Sequence, residues 1–276
     1  MSERPQRVLS VQWEELTATD FPAAVAQAQG VCLLPIGVIE KHGPHLPLGT
    51  DVMAARATAA RAAQREYAVV FPPYYFGQIW EARHQPGCIT LPAELLTAVL
   101  QAVCEEIHRN GFSKILIVNG HGGNTFWLNY FCQSQLASRR EYATYVARWL
   151  TDPELAAQIE ARRRTERGGH SDEIETSRLL ALRPELVKME DVVRESGATQ
   201  GRLKGLDQQV FTGVFYYADY PNHYHGIADE ATRELGELIV ESEVRGLVKI
   251  LRAVKEDTAT IPLQNEFYGR AEQPLP

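Results

Sequence analysis

Short runs rich in Val, Ile and Leu alternate along this chain with helix-forming stretches, and that order constrains the fold more than any other feature. "GVCLLPIGVIE" (30–40), "AVVFPPYYFG" (68–77), "SKILIVNG" (113–120) and "YATYVARWL" (142–150) have the apolar character of strands buried on both faces. Helices are predicted over 52–67, 92–111, 124–140, 153–164, 173–182 and about 228–254. The stretch 92–111 has Pro at its start and Gly at its end, as helices prefer. Strands alternating with helices imply parallel strands joined by right-handed crossovers, with helices on both faces of one sheet. The expected class is therefore α/β, as a single domain over residues 1–276, a length that buries a substantial core. Residues 194–226 carry glycines, glutamines and aromatics without periodicity, the pattern of a long functional loop.

Composition narrows the function. A net charge of -7 with no basic block argues against nucleic-acid binding, which depends on phosphate neutralisation. The cluster "ARRRTER" (161–167) sits among glutamates and is expected to be a solvated helix face. No apolar run approaches the roughly 20 residues that span a bilayer, and the first residues lack the apolar core of a signal peptide. A cytoplasmic location without membrane contact is expected. Cys32, Cys88, Cys104 and Cys132 lie in apolar surroundings without C-x-x-C spacing, so they are expected to be reduced thiols.

Chemistry concentrates in three places. "GVIEKHGPHLPLGTD" (37–51) puts Glu40, His42 and Asp51 where a strand should turn into a helix. "NGHGGN" (119–124) adds His121 after another strand, and "GGHSDEIETS" (168–177) adds His170, Glu173 and Glu175. In open α/β sheets, sites form beyond the carboxyl ends of the strands. Zinc and similar ions take imidazole and carboxylate ligands, and catalytic sites keep a position for water. Singly, each segment has a plainer explanation: Asp51 as a helix N-cap, "GHGGN" as a tight turn, "SDEIETS" as a helix start. Together they point to a metal centre.

"PIGVIEKHGPHLPLGTD" (35–51), "VNGHGGN" (118–124) and "GGHSDEIETS" (168–177) also resemble the signature segments of the creatininase family of metal-dependent amidohydrolases. "YYFGQIWEARHQPGCITL" (74–91) and "GIADEATRELGELI" (226–239) extend the similarity over roughly 30–255. The resemblance implies a three-layer α/β/α fold with a mainly parallel sheet, two divalent ions (Zn, Mn or Fe) and a homo-oligomer, often a hexamer. It implies that Glu40 and His42 serve different ions, that Asp51 bridges them, and that His121 joins the ion held by Glu40. Creatininase itself has a glutamate two residues after that histidine, where this chain has Gly123. The resemblance passes that ligand role to Glu173, with Glu175 as the alternative ligand or a partner behind the ligands. His170 is the expected general acid, because imidazole exchanges protons near pH 7 and the family places a histidine there. Lys41, His84, Asp172 and Tyr224 are further candidates for contacts to substrate or ligands.

Three departures matter. Lys41 replaces the usual Gln, and Ser171-Asp172 replaces a pair of small residues. Asp172 either raises the pKa of His170 or caps a helix. "YYADYPNHYHG" (216–226) replaces a short turn, and its tyrosines with His223 and His225 suggest a pocket wall or a subunit contact. Loss of the creatininase-type glutamate at Gly123, and of a tyrosine at Gly122, counts against creatinine as the substrate. The expected activity is hydrolysis of a C–N amide bond in a small molecule, such as a cyclic amide or a formamide, by metal-activated water. The alternatives are a peptidase acting on a short peptide end, and a non-catalytic metal-binding protein. A nucleotide-binding protein is disfavoured, since no G-x-G-x-x-G or G-x-x-x-x-G-K follows a strand.

Overall fold

Consecutive residues of each strand feed two different cores. The computed structural model describes residues 8–147, 151–166, 168–207 and 209–275. Its strands β1 (Val31–Ile36), β2 (Val69–Val70), β3 (Lys114–Asn119) and β4 (Ala143–Ala147) form one parallel sheet in the order β2-β1-β3-β4. The helices are α1 (Phe21–Gln27), α2 (Thr50–Arg65), α3 (Ala93–Arg109), α4 (Asn124–Ser134), α5 (Pro153–Arg162), α6 (Glu173–Leu182), α7 (Phe215–Asp219), α8 (Arg233–Glu256) and α9 (Thr260–Glu272).

Val31, Leu33, Leu116 and Val118 face Ala59, Ala62 and Ala63 of α2 and Val240, Val244 and Leu247 of α8. Cys32, Leu34, Ile36, Ile115 and Ile117 face Leu100, Cys104 and Ile107 of α3, Leu128 and Phe131 of α4, and Ala24 of α1. Helices therefore cover both faces, giving three α/β/α layers, and each fully buried Leu or Ile contributes roughly 1.5–3 kcal/mol. Both cores are continuous because strands buried on both faces need no polar side.

Several boundaries differ from expectation, for local reasons. The run at 68–77 forms a strand only over Val69–Val70, because Pro72 and Pro73 have no N–H to donate; beyond them a single parallel bridge joins Tyr74 to Ile36. The helix expected from 124 ends at Ser134 in a 3-10 turn over Gln135–Ala137. The last long helix starts at Arg233, where the Thr232 side chain accepts from Leu235 N. Helices α1 and α9 were not expected; Pro22, Pro262 and Gly269 mask their periodicity. The expected strand at 142–150 is observed over Ala143–Ala147, and 148–150 lie outside the described residues. Within "ARRRTER" the helix stops at Arg162, and Arg163 is not solvated: its Nη2 donates to Asp172 Oδ2 at 2.9 Å. Residue 167 lies outside the described residues. All four cysteines are free, with Cys32 and Cys104 buried and Cys88 and Cys132 partly so. Among the described residues, no helix is long and apolar enough to cross a membrane.

Two glycines aim the sheet's edge at one point. Ile36 and Asn119 are register partners at the ends of β1 and β3, so the loops after them leave side by side. A Cβ on Gly37 would lie 2.4 Å from Val52 N, and one on Gly120 would lie 2.6 Å from Ala55 Cβ. Their absence lets the first turn of α2 sit on the strand ends, carrying Asp51 with it.

Candidate metal centre

Asp51 is the second residue of α2 and caps nothing; the helix N-cap is Gly49. Its two oxygens face two different imidazoles. Oδ1 is 3.1 Å from His42 Nε2, and Oδ2 is 3.0 Å from His121 Nδ1. His121 Nδ1 is also 2.9 Å from Glu40 Oε1. His42 Nδ1 donates to the carbonyl of Glu40 at 3.3 Å, which leaves Nε2 as the nitrogen turned toward Asp51, Glu40 and Glu175. Glu40 and His42 are wholly buried and Asp51 is nearly so.

Glu175 Oε2 accepts from Ser171 N at 2.6 Å and lies 3.9 Å from both His42 Nε2 and His170 Nδ1. Glu173 goes elsewhere. Its buried carboxylate accepts from Arg164 N, Thr165 N and the Thr165 hydroxyl at 2.7–3.1 Å. The structure does not bring Glu173, the expected ligand, to the centre: its oxygens bond the chain at 164–165, and Glu175 is the carboxylate beside His42. The other candidates are also displaced. Lys41 Nζ pairs with Glu195 at 2.6 Å, and only its backbone carbonyl reaches the centre, accepting from His170 Nε2 at 2.7 Å. Asp172 is the N-cap of α6, accepting from Ile174 N and Glu175 N, so the capping role is the one it takes. His84 is exposed and binds the carbonyl of Pro221. Tyr224 is buried against His45 and lines a separate cleft with Glu195 and Gly197.

One residue, expected only in a pocket wall or a subunit contact, belongs to the centre itself. His223, 3% exposed, places Nε2 2.5 Å from Glu40 Oε2 and packs its ring 4.5 Å from that of His170. The only signal in the sequence was the density of Tyr and His over 216–226. That segment is held beside the centre by paired backbone hydrogen bonds between His170 and His225. Gly168 and Gly226 permit the crossing: a Cβ on Gly226 would meet Asp172 Cβ at 2.8 Å.

The electrostatics follow from burial among opposite charges. Burial pushes the Glu40 carboxyl up, but the surrounding imidazoles, His121 foremost, hold it well below the usual carboxylate range. Burial alone would lower His42, yet Asp51, Glu40 and Glu175 raise it to about 9. His121 is likewise raised by Glu40 and Asp51 against the effect of burial. His170 moves the other way, to about 4, through burial and the neighbouring His42 and His223.

These residues fit divalent ions. Glu40 Oε1 and Asp51 Oδ2 are buried without a hydrogen bond although His121 Nδ1 is about 3 Å from each. A single proton cannot satisfy three converging lone pairs, and a cation of imidazole and carboxylate preference can. Glu40, Asp51 and His121 form one ligand-distance group, His42, His170 and Glu175 a second, and Glu40, His170 and His223 a third. Gly123 leaves the His121 ring its room: a Cβ there would lie 2.5 Å from His121 Nε2.

The comparisons point the same way. A family model described as creatininase, creatinine amidohydrolase, matches residues 14–251. Creatinine amidohydrolase of Pseudomonas putida is 30% identical over 256 residues, covering 86% of this chain and 95% of that protein. Mycofactocin precursor peptide peptidase of Mycolicibacterium smegmatis is 39% identical over 101 residues, 33% of this chain and 39% of that protein. The crystal structure of a creatinine amidohydrolase superposes with a TM-score of 0.75 at 27% identity, covering 91% of this chain and all of the other. A creatininase structure described as holding Mn gives 0.74 at 28% identity, with 90% and 100% covered; another is described as a Zn-Zn type, at 0.73, 27% identity and coverage of 91% and 100%. With the parallel sheet, the strand-end ligands and this similarity over most of its length, the chain belongs to the creatininase family of amidohydrolases.

Proposed function

We propose that residues 1–276 form one domain that binds two divalent ions, Zn, Mn or Fe, and hydrolyses the C–N amide bond of a small molecule. The observation that carries this is the division of Asp51, with one oxygen toward His42 and the other toward His121, the posture of a bridging carboxylate. Glu40, Asp51 and His121 would hold one ion, and His42, Asp51 and Glu175 the other. Such ions supply a deprotonated water near neutral pH and polarise the amide carbonyl.

The chain's own residues supply the rest. Glu40 and Asp51 are charged in a nearly dry pocket, so the ligand set is fixed before substrate arrives. The Lys41 carbonyl accepts from His170 Nε2, which leaves Nδ1 as the atom that exchanges a proton. His170, held at about 4 and so neutral at rest, is proposed to take up on Nδ1 a proton given up by the attacking water and to deliver it to the departing amine. Glu175, 3.9 Å from the same Nδ1, favours its protonated form through charge.

A second activity, trimming of a short peptide end, draws on the similarity to the mycofactocin peptidase. It also draws on the exposed row Phe126, Phe211 and Phe215 past the start of α4, which suits an apolar peptide. A cytoplasmic location and a homo-oligomer, up to a hexamer, belong to the same proposal; the four free thiols suit a reducing compartment.

The test is hydrolysis of cyclic amides, imides, formamides and short peptides by protein loaded with Zn, Mn or Fe(II), followed by mass spectrometry. Metal-dependent turnover lost in Asp51→Ala supports the hydrolase and identifies its substrate class. Protein that binds no ion under these conditions refutes it. Two bound ions with no turnover on any substrate would favour the non-catalytic alternative.

A further inference from the structure

The segment after α7 brings to the centre a residue that neither strand-end loop supplies. His223 N donates to the Tyr220 carbonyl at 2.9 Å, and His225, two residues on, is bridged to the His170 backbone. The ring is thereby fixed between Glu40, His170 and Tyr216. Its backbone has φ +55°, in the left-handed region. Histidine enters that region more readily than most residues, yet the conformation costs energy and persists where the surroundings over-determine it.

The two oxygens of Glu40 have separate partners. Oε2 lies 2.5 Å from His223 Nε2, while Oε1 has no hydrogen bond and faces the point shared with His121 and Asp51. His223 Nδ1 is buried with no partner. A ligating imidazole almost always donates its second N–H to an acceptor, as His42 does to the Glu40 carbonyl. Among the described residues, His223 has no such acceptor. The tautomer that leaves no N–H stranded carries its proton on Nε2 and donates it to Glu40.

We propose that His223 is a positioning residue for the metal centre: its Nε2–H holds Oε2 of Glu40 so that Oε1 alone is presented to the ion shared with Asp51 and His121. This rests on the two-ion reading above and deepens it. An untethered carboxylate can rotate to chelate with both oxygens or turn toward the second ion; a tethered one offers one donor at one place. The affinity of that ion is thereby tied to residues 215–226, a segment outside all the strand-end loops.

The experiment compares His223→Leu and His223→Gln with the unaltered protein, each stripped of metal and titrated with Zn against a chromophoric chelator. Both substitutions place a side chain unbranched at Cβ in the same left-handed conformation, and only Gln restores an N–H near the Nε2 position. In His223→Leu, one of two bound equivalents is expected to weaken by about 10–100-fold. His223→Gln should recover most of that loss at an equal melting temperature. The proposal is overturned if His223→Leu binds both equivalents as tightly as the unaltered protein, or if Leu and Gln weaken binding equally, since packing rather than the N–H would then be responsible. Fewer than two equivalents in the unaltered protein would instead refute the two-ion reading itself.

Discussion

His170 Nε2 lies 2.7 Å from the carbonyl oxygen of Lys41, and that bond settles which nitrogen can trade protons. A backbone carbonyl only accepts, so Nε2 carries hydrogen and Nδ1 faces the centre near Glu175. Replacing His170 by Ala should lower turnover by about 10²–10⁴-fold, the usual worth of a positioned acid or base. Bound metal should be unchanged, because the five proposed ligands remain. Metal analysis beside single-turnover kinetics checks this; loss of an ion would make His170 a ligand instead.

The two glutamates at the start of α6 should separate cleanly. Glu175→Gln should weaken one of two ions and leave folding intact, since Gln can still accept from Ser171 N. Glu173→Gln should keep both ions but lower stability by about 1–3 kcal/mol, because a charged acceptor bonded by three donors becomes a neutral amide. Chemical denaturation and metal titration of both variants decide it; the reverse pattern would restore Glu173 as the ligand.

The sequence carried the first half of the centre and left the second half ambiguous, for a geometric reason. Glu40, His42 and Asp51 follow a strand whose apolar run is plain, so their common edge can be inferred. Glu173 and Glu175 sit two apart on a helix, about 200° around its axis, so only one can face the centre. Which one depends on the rotation of α6, fixed by the Asp172 cap and by the chain at 164–165. His223 was harder still, as it lies in a stretch without periodicity and is placed by glycine crossings that become visible only in three dimensions.

Loading with metal should release protons. Without ions, His42 has a pKa of about 9 and His121 is raised well above 6.5, so both are protonated at pH 7 and must lose that proton to coordinate. Apparent affinity should therefore rise with pH up to about 9. Calorimetry at pH 7 in buffers of different ionisation enthalpy should show net proton release, and pH-independent affinity would contradict the assignment.

The metal-free protein should be most stable near pH 6.5. A raised His42 contributes stability that is complete below 6.5 and is lost as pH climbs through about 9. His45 and His170, lowered to about 4 chiefly by burial, contribute stability that is complete above 6.5 and is lost as pH falls through about 4. Denaturant midpoints from pH 4 to 9 should therefore trace a maximum. His45→Gln should flatten only the acid limb, and a monotonic profile would show that these imidazoles do not govern stability.

Gly37→Ala tests whether the seat of α2 sets the position of Asp51. The added Cβ would stand 2.4 Å from Val52 N and 2.6 Å from the Asp51 carbonyl carbon, both backbone atoms that cannot rotate away. The helix start must shift, at a cost of roughly 1–3 kcal/mol for overpacking. Asp51 shifts with it, so metal affinity should fall along with the denaturation midpoint. Gly122→Ala is the control, since a Cβ there meets nothing within 4 Å, and it should leave both quantities unchanged. If Gly37→Ala lowered stability while both ions bound as before, Asp51 would be placed by its ligand contacts rather than by the packing of α2 on the strand ends.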